Sequence, residues 1–349
     1  MMRENQLIVI ERHGASFRDC TAIVTEPWPE PGPGEVVLRH DFAGVNGVYD
    51  QMMCLDRVEH TRVTYPAPAG VEAVGRVDSV GPGVSGWREG DAAAVVRAGF
   101  GYRLAQRCPA AQLIPIPEPS PEVLALVPTG VSALLALEQV GEMREGEVVC
   151  VSAAAGGLGH IAVQLAVQAG NEVVAICGSD RKADGLKRAG ARRVIQYRRE
   201  DPAAVLADEY PDGLDLVLDS VGGALFDALV DSLAPHGRLV VAGFTADRLP
   251  TEKPSQERIY AKLYWKAASV RGFMNYRFEQ HAAAARARLF DMLESGVLAP
   301  WVDNKRFSGL ASVPDAVEHL LAGRNLGKVL VELVPGGVSQ RGLAHDSLR

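Results

Sequence analysis

Residues 149–170 read VCVSAAAGGLGHIAVQLAVQAG, three alanines and three glycines between an apolar run and an amphipathic one. The first run is strand-like and LGHIAVQLAVQ is helix-like. The turn between them has the spacing Ala154-x-Gly156-x-x-Gly159. Phosphate binding is the chemistry that fits this pattern. A side chain at Gly156 would hold a pyrophosphate off the backbone, Gly159 lets the helix pack close to the strand, and the helix N-terminus offers free N–H groups and a partial positive charge. Tight turns use glycine in any case, so the strand–turn–helix context gives the motif its meaning. The end of the next strand, EVVAICGSDRKADGLK, bears on which dinucleotide is taken. A site built for NAD places an acid there on the adenosine ribose. Cys177 and Gly178 stand there instead, and the later Asp180 competes with Ser179 for the N-cap of the following helix. Lys182 and Tyr197 can converge on a 2′-phosphate, with a backbone N–H at Gly178 and a hydroxyl at Ser179. A solvated helix face is the other use for such a lysine. The reading is NADPH rather than NADH.

The elements that must position this turn alternate. EVVCVS, EVVAIC, RRVIQY, LDLVLDS, GRLVVAGF and ASVRGF read as strands. LGHIAVQLAVQAG, DRKADGLKRAG, PAAVLADEY and GGALFDALVDSLA read as helices between them. Such alternation predicts a parallel sheet covered on both faces, the doubly wound α/β class. PTGVSALLALEQVG is a further predicted helix. The first third differs: short β-type runs (QLIVIER, EVVLRHDFAGV, GRVDSVG, DAAAVV) separated by proline and glycine clusters predict a mostly antiparallel domain. IPIPEPSPE, 114–122, marks the boundary. After HAAAARARLFDMLESG the chain ends in KVLVELV, too short to fold alone and expected to complete the N-terminal domain.

Composition narrows the classes. With 349 residues and 47% hydrophobic side chains, two domains can each bury a core. A net charge of −7 offers no basic field for nucleic acid or an anionic membrane. The five cysteines are scattered without a CxxC pair, which fits buried thiols in a reducing, cytoplasmic setting. No signal-peptide pattern and no apolar run of bilayer-spanning length is expected. Residues 336–349 read as a loose tail.

VSAAAGGLGHIAVQLA, CGSDRKADGLKRAGARRVIQY, YPDGLDLVLDSVGGALFDALV, KAASVRGFMNYRF and NLGKVLVEL resemble the medium-chain dehydrogenase/reductase superfamily. Within it they are similar to the zinc-free quinone oxidoreductase and prostaglandin reductase 3-like branch. The resemblance implies a GroES-like domain over 1–126 and 276–335, a Rossmann domain over 127–275, and a cleft between them. Zinc-dependent relatives carry a cysteine and a His-Glu pair in the first domain, and a lobe of four cysteines. Here Asn46 and Val71 stand at the cysteine and histidine positions, beside Glu72, and the lobe is missing, so zinc is not expected. Carried over residue by residue, the resemblance puts Gly156, Gly157 and Leu158 on the pyrophosphate and Gly178, Lys182 and Tyr197 on the 2′-phosphate. It puts Ser132 near the nicotinamide half, Ser220 and Ala242 at strand ends under the cofactor, and Phe273, Met274 and Asn275 on the nicotinamide. Asn325 returns from the other domain, unless it serves only a C-terminal turn.

The expected function is reduction by NADPH of the C=C bond of an α,β-unsaturated ketone, with quinones possible. The cofactor carries the hydride, so the protein supplies position, a dry cleft and help for an enolate. Tyr49 and Tyr260 are the catalytic candidates, each of which could equally be a pocket wall. Asn46, Met52, Met53, Phe100 and Tyr102 are the pocket candidates, and loop 245–258 is expected to set substrate identity. Alternatives are a biosynthetic enoyl-thioester reductase or hydride-triggered cyclase, with Arg57, Arg103 and Arg107 as basic residues for a cleft mouth, and a non-enzymatic NADPH-binding protein. ASVRGF, 268–273, is expected at a sheet edge, where strand pairing across a two-fold axis would make a homodimer.

Overall fold

The apolar strand runs after residue 147 build a six-stranded parallel sheet. Labelled in chain order within this half, the strands are β1 (Val148–Val151), β2 (Glu172–Cys177), β3 (Arg193–Gln196), β4 (Leu214–Asp219), β5 (Leu233–Val241) and β6 (Ser269–Gly272). Their order across the sheet is β3-β2-β1-β4-β5-β6, with every pairing parallel. The helices of this half are α1 (Gly159–Gln168), α2 (Asp180–Arg188), α3 (Pro202–Glu209), α4 (Gly223–Asp231) and α5 (Tyr260–Lys266). Alternate strand residues enter different cores: Val149, Val151, Val173 and Ala175 one, Cys150, Val174 and Ile176 the other. A strand buried on both faces has no polar alternation, which is why these runs are continuously apolar. This computed structural model describes residues 3–59, 62–247, 249 and 258–333, so the 336–349 tail and much of loop 245–258 lie outside the described residues.

The N-terminal third is antiparallel. Glu4–Ile10 pairs with Thr21–Pro27 and Ala67–Pro68. Glu35–Gly44 pairs with Glu72–Val80, Ala105–Pro109 and, near the chain's end, Leu330–Glu332. The late strand thus closes an early sheet.

The helix expected at PTGVSALLALEQVG is longer. It starts at Pro121, where the fixed φ of proline suits a first turn, and Ser120 accepts the Val123 N–H. It runs to Val140 through two π-type turns, Leu126–Gly130 and Ala136–Val140. Pro128, which has no N–H to give, sits in the first of them. This corrects the expectation that no apolar run reaches bilayer length: Pro121–Val140 does, with mean hydropathy 1.7, and 78% of that window is buried inside the protein. Leu134 and Leu135 share their core with Ala285 and Leu289 of the helix Glu279–Glu294.

Candidate active site

After β1 the chain turns through Ser152–Leu158 into α1. Gly159 is demanded by packing: a Cβ there would lie 2.5 Å from the Ala153 carbonyl oxygen. Gly156 and Gly157 are not. A Cβ on Gly156 would meet only Ala153 O, at 3.2 Å, and one on Gly157 nothing nearer than Lys328 Cδ at 3.5 Å. Their bareness leaves backbone open at the start of α1, which no side chain caps. A pyrophosphate suits that opening. The place is also the switch point of the sheet, outside the carboxyl ends of β1 and β4. Ser152 ties those ends together, donating to Asp219 Oδ1 at 2.5 Å and accepting the Ser220 N–H at 2.9 Å.

At the end of β2, Ser179 takes the N-cap of α2 with its hydroxyl unused by the helix, and Asp180 is the first helical residue. Asp180 pairs with Arg199 at 2.5 Å. Tyr197, 53% exposed, lies over Gly178, whose Cβ would be 2.5 Å from the phenol oxygen. Lys182 rises from the first turn of α2 and donates to Gly323 O at 2.8 Å; burial lowers its pKa. The Gly178, Ser179, Lys182 and Tyr197 positions therefore gather at one end of the sheet. Arg181, Arg198 and Arg199 surround them, and Arg181 and Arg198 oppose the charge of Lys182. A 2′-phosphate fits this group of cations and hydroxyls.

Across the opening stands a charged wall. Lys328 Nζ donates to Glu72 Oε1 at 2.5 Å and to Asn46 Oδ1 at 3.1 Å; its side chain and that of Glu72 are 3% and 0% exposed. Weaker contacts reach Val45 O at 3.3 Å and Thr129 Oγ1 at 3.4 Å. Asn46 Nδ2 donates to the same Glu72 oxygen at 2.7 Å. The ammonium thus joins the antiparallel half to the long helix beside Gly157. Gly44 makes room, since a Cβ there would strike the Glu72 carboxyl at 2.5 Å. Asn46 is the N-cap position of the helix Gly47–Cys54, so Tyr49 sits on a helix. Asp50 in that helix accepts from Tyr102 Oη at 2.6 Å and from the Asn46 N–H at 3.3 Å. Burial pushes the Asp50 carboxyl up to about 7 against those hydrogen bonds.

The return segment fixes the two walls together. Gly327 N donates to Ala155 O at 2.8 Å, and Lys328 N to Trp301 O at 2.8 Å. Gly327, at φ +76°, is held 2.1 Å from Trp301 O at its would-be Cβ, so only glycine fits. Trp301 N donates to His160 Nε2 at 2.7 Å, which leaves the proton on Nδ1, 2.7 Å from Gly156 O. The indole stacks on the imidazole with centroids 5.1 Å apart. Burial lowers His160 to about 4, so it stays neutral.

The other expected site residues divide. Leu158 is the N-cap position of α1. Ala242 and Phe273 follow β5 and β6 at the carboxyl edge, with Phe273 stacked on Phe278. Met274 and Asn275 are exposed just beyond. Ser132 donates to Pro128 O at 2.8 Å within the long helix. Asn325 donates to Gly327 O at 2.9 Å, which shapes the turn before Lys328. Tyr49 is half-buried near Met52, and burial, then Asp50, raises its pKa. Tyr260 is 67% exposed at the start of α5. Tyr102 is no pocket wall: it is fully buried, where its ring packs edge-on to Phe17 and its hydroxyl satisfies Asp50. Met53 and Phe100 line an open recess of the antiparallel half, with Val63, Pro68 and Gln106 among its other walls. Lys328, Thr129, His160 and Trp301 are not expected from the sequence. A lone lysine in the apolar run NLGKVLVEL was the signal for the first.

A zinc ion does not suit this donor set. Asn46 and Val71 offer no thiolate or imidazole, and Glu72 already holds an ammonium that would repel a cation. Among the described residues no three His, Cys, Asp or Glu side chains are grouped to hold a metal.

Known proteins resemble this chain in sequence and fold. Residues 157–290 match the zinc-binding dehydrogenase family model, and 32–118 the alcohol dehydrogenase GroES-like domain. Prostaglandin reductase-3 of Mus musculus is 38% identical over 97% of this chain and 92% of its own length. A probable quinone oxidoreductase of Leishmania amazonensis is 36% identical over 91% and 94%. A mycobacterial protein solved with NADPH superposes with TM-score 0.80 at 26% identity, covering 95% of this chain and all of that one. Dinucleotide turn, bridging return segment and likeness over nearly the whole length agree: the chain belongs to the medium-chain dehydrogenase/reductase family and is one of its oxidoreductases.

Proposed function

We propose that the protein is an NADPH-dependent, zinc-independent reductase of the C=C bond of α,β-unsaturated ketones, with quinones as a related substrate class. The observation that carries this reading is the Glu72–Lys328 pair facing the open Gly156–Gly157 backbone. An ammonium already held by Glu72 supports a reaction without a metal there. Relatives named prostaglandin reductase-3 and quinone oxidoreductase support it.

NADPH, when bound, supplies the hydride, so the substrate must arrive already electrophilic. The chain's own residues do the rest. Gly156, Gly157 and the start of α1 receive the pyrophosphate, and Ser179, Lys182 and Tyr197 the 2′-phosphate. Asn46, Met52 and Tyr49 form the facing wall for the substrate. Tyr49, its pKa raised by burial, keeps its proton and offers an O–H to the oxygen that gains charge. Steady-state oxidation of NADPH against enones, quinones and enoyl thioesters, with and without a chelator, tests the reading. Turnover of enones unaffected by the chelator is expected; turnover only with stoichiometric zinc would overturn it.

The same reading includes a cytoplasmic homodimer. All five cysteines are free and buried, as suits a reducing compartment. Among the described residues β6 pairs on one side only, with β5, and Tyr264 and Trp265 on α5 beside it are 75% and 81% exposed. A strand edge left unpaired beside exposed aromatic side chains invites an isologous partner. Sedimentation velocity checks it, and a single monomer-mass species would remove it.

A further inference from the structure

Bareness makes the dinucleotide turn open to a phosphate and also makes its direction easy to lose. Gly156 N already donates to Ala153 O at 2.8 Å, whereas Gly157 N and Leu158 N donate to no carbonyl among the described residues. A free N–H serves a phosphate only when it faces outward. The 156–157 peptide is trans, so the Gly156 oxygen and the Gly157 N–H point opposite ways. A peptide between two glycines turns over at little cost, because neither has a Cβ to forbid a positive φ. Turned over, it would show a carbonyl oxygen to the phosphate in place of a donor.

His160 holds that oxygen twice. Its backbone N–H reaches Gly156 O at 3.2 Å, the long end of the range, and its Nδ1 lies nearer, at 2.7 Å. The imidazole is fully buried, while Gly156 and Gly157 are part-exposed, so the oxygen is drawn inward and the Gly157 N–H faces out. The return segment decides which ring nitrogen carries the proton. Trp301 N donates to Nε2 at 2.7 Å, which leaves Nδ1 as the donor. Ala299, two residues earlier, seats the segment on α1: its N–H goes to Gln164 Oε1 at 2.9 Å, and its oxygen accepts from Gln164 Nε2 at 3.0 Å. We propose that His160 is a positioning residue for the dinucleotide: as the tautomer set by Trp301, it keeps the Gly156 carbonyl turned inward and so aims the Gly157 N–H at the pyrophosphate. The proposal rests on the reading of this turn as the pyrophosphate site. The competing role for the same ring is to anchor the return segment and nothing more.

Two variants divide the two bonds of the ring. His160→Asn keeps an N–H where Nδ1 stands and loses the acceptor for Trp301. His160→Gln carries a carbonyl oxygen out to Trp301 and leaves Gly156 O without its side-chain donor. ADP-ribose, NADPH and NADH are titrated calorimetrically into each full chain. The Gln variant should bind all three about tenfold more weakly, because the pyrophosphate is common to them, and the Asn variant should stay within about twofold of the native chain. A Gln variant that binds like the native chain, or an Asn variant as weak as the Gln one, overturns the proposal and returns His160 to the anchoring role. A further measurement uses the native chain and holds even if a variant fails to fold. With isotope-labelled glycine, the Gly157 amide proton resonance should move downfield as ADP-ribose saturates the site. An amide that stays in place while ADP-ribose binds overturns the proposal and leaves the cofactor reading intact; no binding of ADP-ribose at all overturns both. Enone turnover enters none of these readouts, so failure of the reductase reading leaves the test standing.

Discussion

The two walls that meet at Gly157 are built on opposite principles. One is nearly bare: the turn from Ala154 to Gly159 offers backbone, an uncapped helix start and almost no side-chain volume. The other is crowded with polar groups taken out of water: Lys328, Glu72, Asn46 and, one layer back, Asp50 and Tyr102. The bare wall can accept a ligand because it holds nothing of its own there. The charged wall has nearly all its groups paired internally, so it positions and takes little up. Damage should follow the same division, to stability on the charged side and to affinity on the bare side.

The largest effect is expected at Lys328. Lys328→Met leaves the Glu72 carboxylate buried without its cation, and breaking such a pair by removing one partner costs roughly 3–5 kcal/mol. Adding Glu72→Gln should recover much of that loss, because no uncompensated charge remains. Urea unfolding of the native chain, the single and the double variant checks both statements. A double variant as weak as the single one would mean that packing rather than charge holds this wall.

Asp50 comes next and has a pH signature. The unfolded carboxyl ionises near pH 3.9, while burial holds the folded one up to about 7. Between those values the folded chain keeps a proton that the unfolded chain has lost. Stability therefore falls as pH rises from about 4 to about 7 and is level above, by up to roughly 4 kcal/mol. Asn in its place still accepts from Tyr102 and carries no charge. Asp50→Asn should remove that slope, gaining on the native chain between about pH 4 and pH 7 and holding a constant lead above it. Parallel stability curves would rule out Asp50 as a buried titrating group.

The glycines separate the two effects within one turn. Gly159→Ala must displace the Ala153 carbonyl, and overpacking of this kind costs about 1–3 kcal/mol of stability. Gly157→Ala finds only ordinary contact, 3.5 Å from Lys328 Cδ, so the melting temperature should hold while the KM for NADPH rises. Equal destabilisation by the two substitutions would end the distinction between a packing glycine and a binding one.

What could be read in advance follows the same line. The bare wall is local: strand, turn and helix lie within about twenty residues, and each glycine's role is written in its spacing. The parallel sheet was legible for a like reason, because strands buried on both faces announce themselves. The charged wall is assembled from residues 46, 72, 129 and 328, and no spacing relates them. Lysine and glutamate read as solvated until the fold removes the water. Tyr102 departs from expectation for the mirror-image reason: an aromatic side chain reads as a pocket wall, but this one turns inward to donate its hydroxyl to Asp50. His160 sits inside the legible motif, but its role rests on Trp301, 141 positions away.

The smallest effect is expected at Lys182. A charge-assisted hydrogen bond to a 2′-phosphate is worth about 1.5–3 kcal/mol, and here the low end applies. Lys182 must first release the Gly323 carbonyl it holds at 2.8 Å. Ser179, Tyr197 and the arginines around α2 remain to meet the phosphate after it is gone. Lys182→Ala should therefore weaken NADPH about tenfold and leave NADH unchanged, since NADH carries no 2′-phosphate. Calorimetric titration of both cofactors into both chains measures the difference directly. An equal loss for NADH would place Lys182 on the shared part of the dinucleotide, and an unchanged NADPH affinity would return it to a helix face tied to the Gly323 carbonyl.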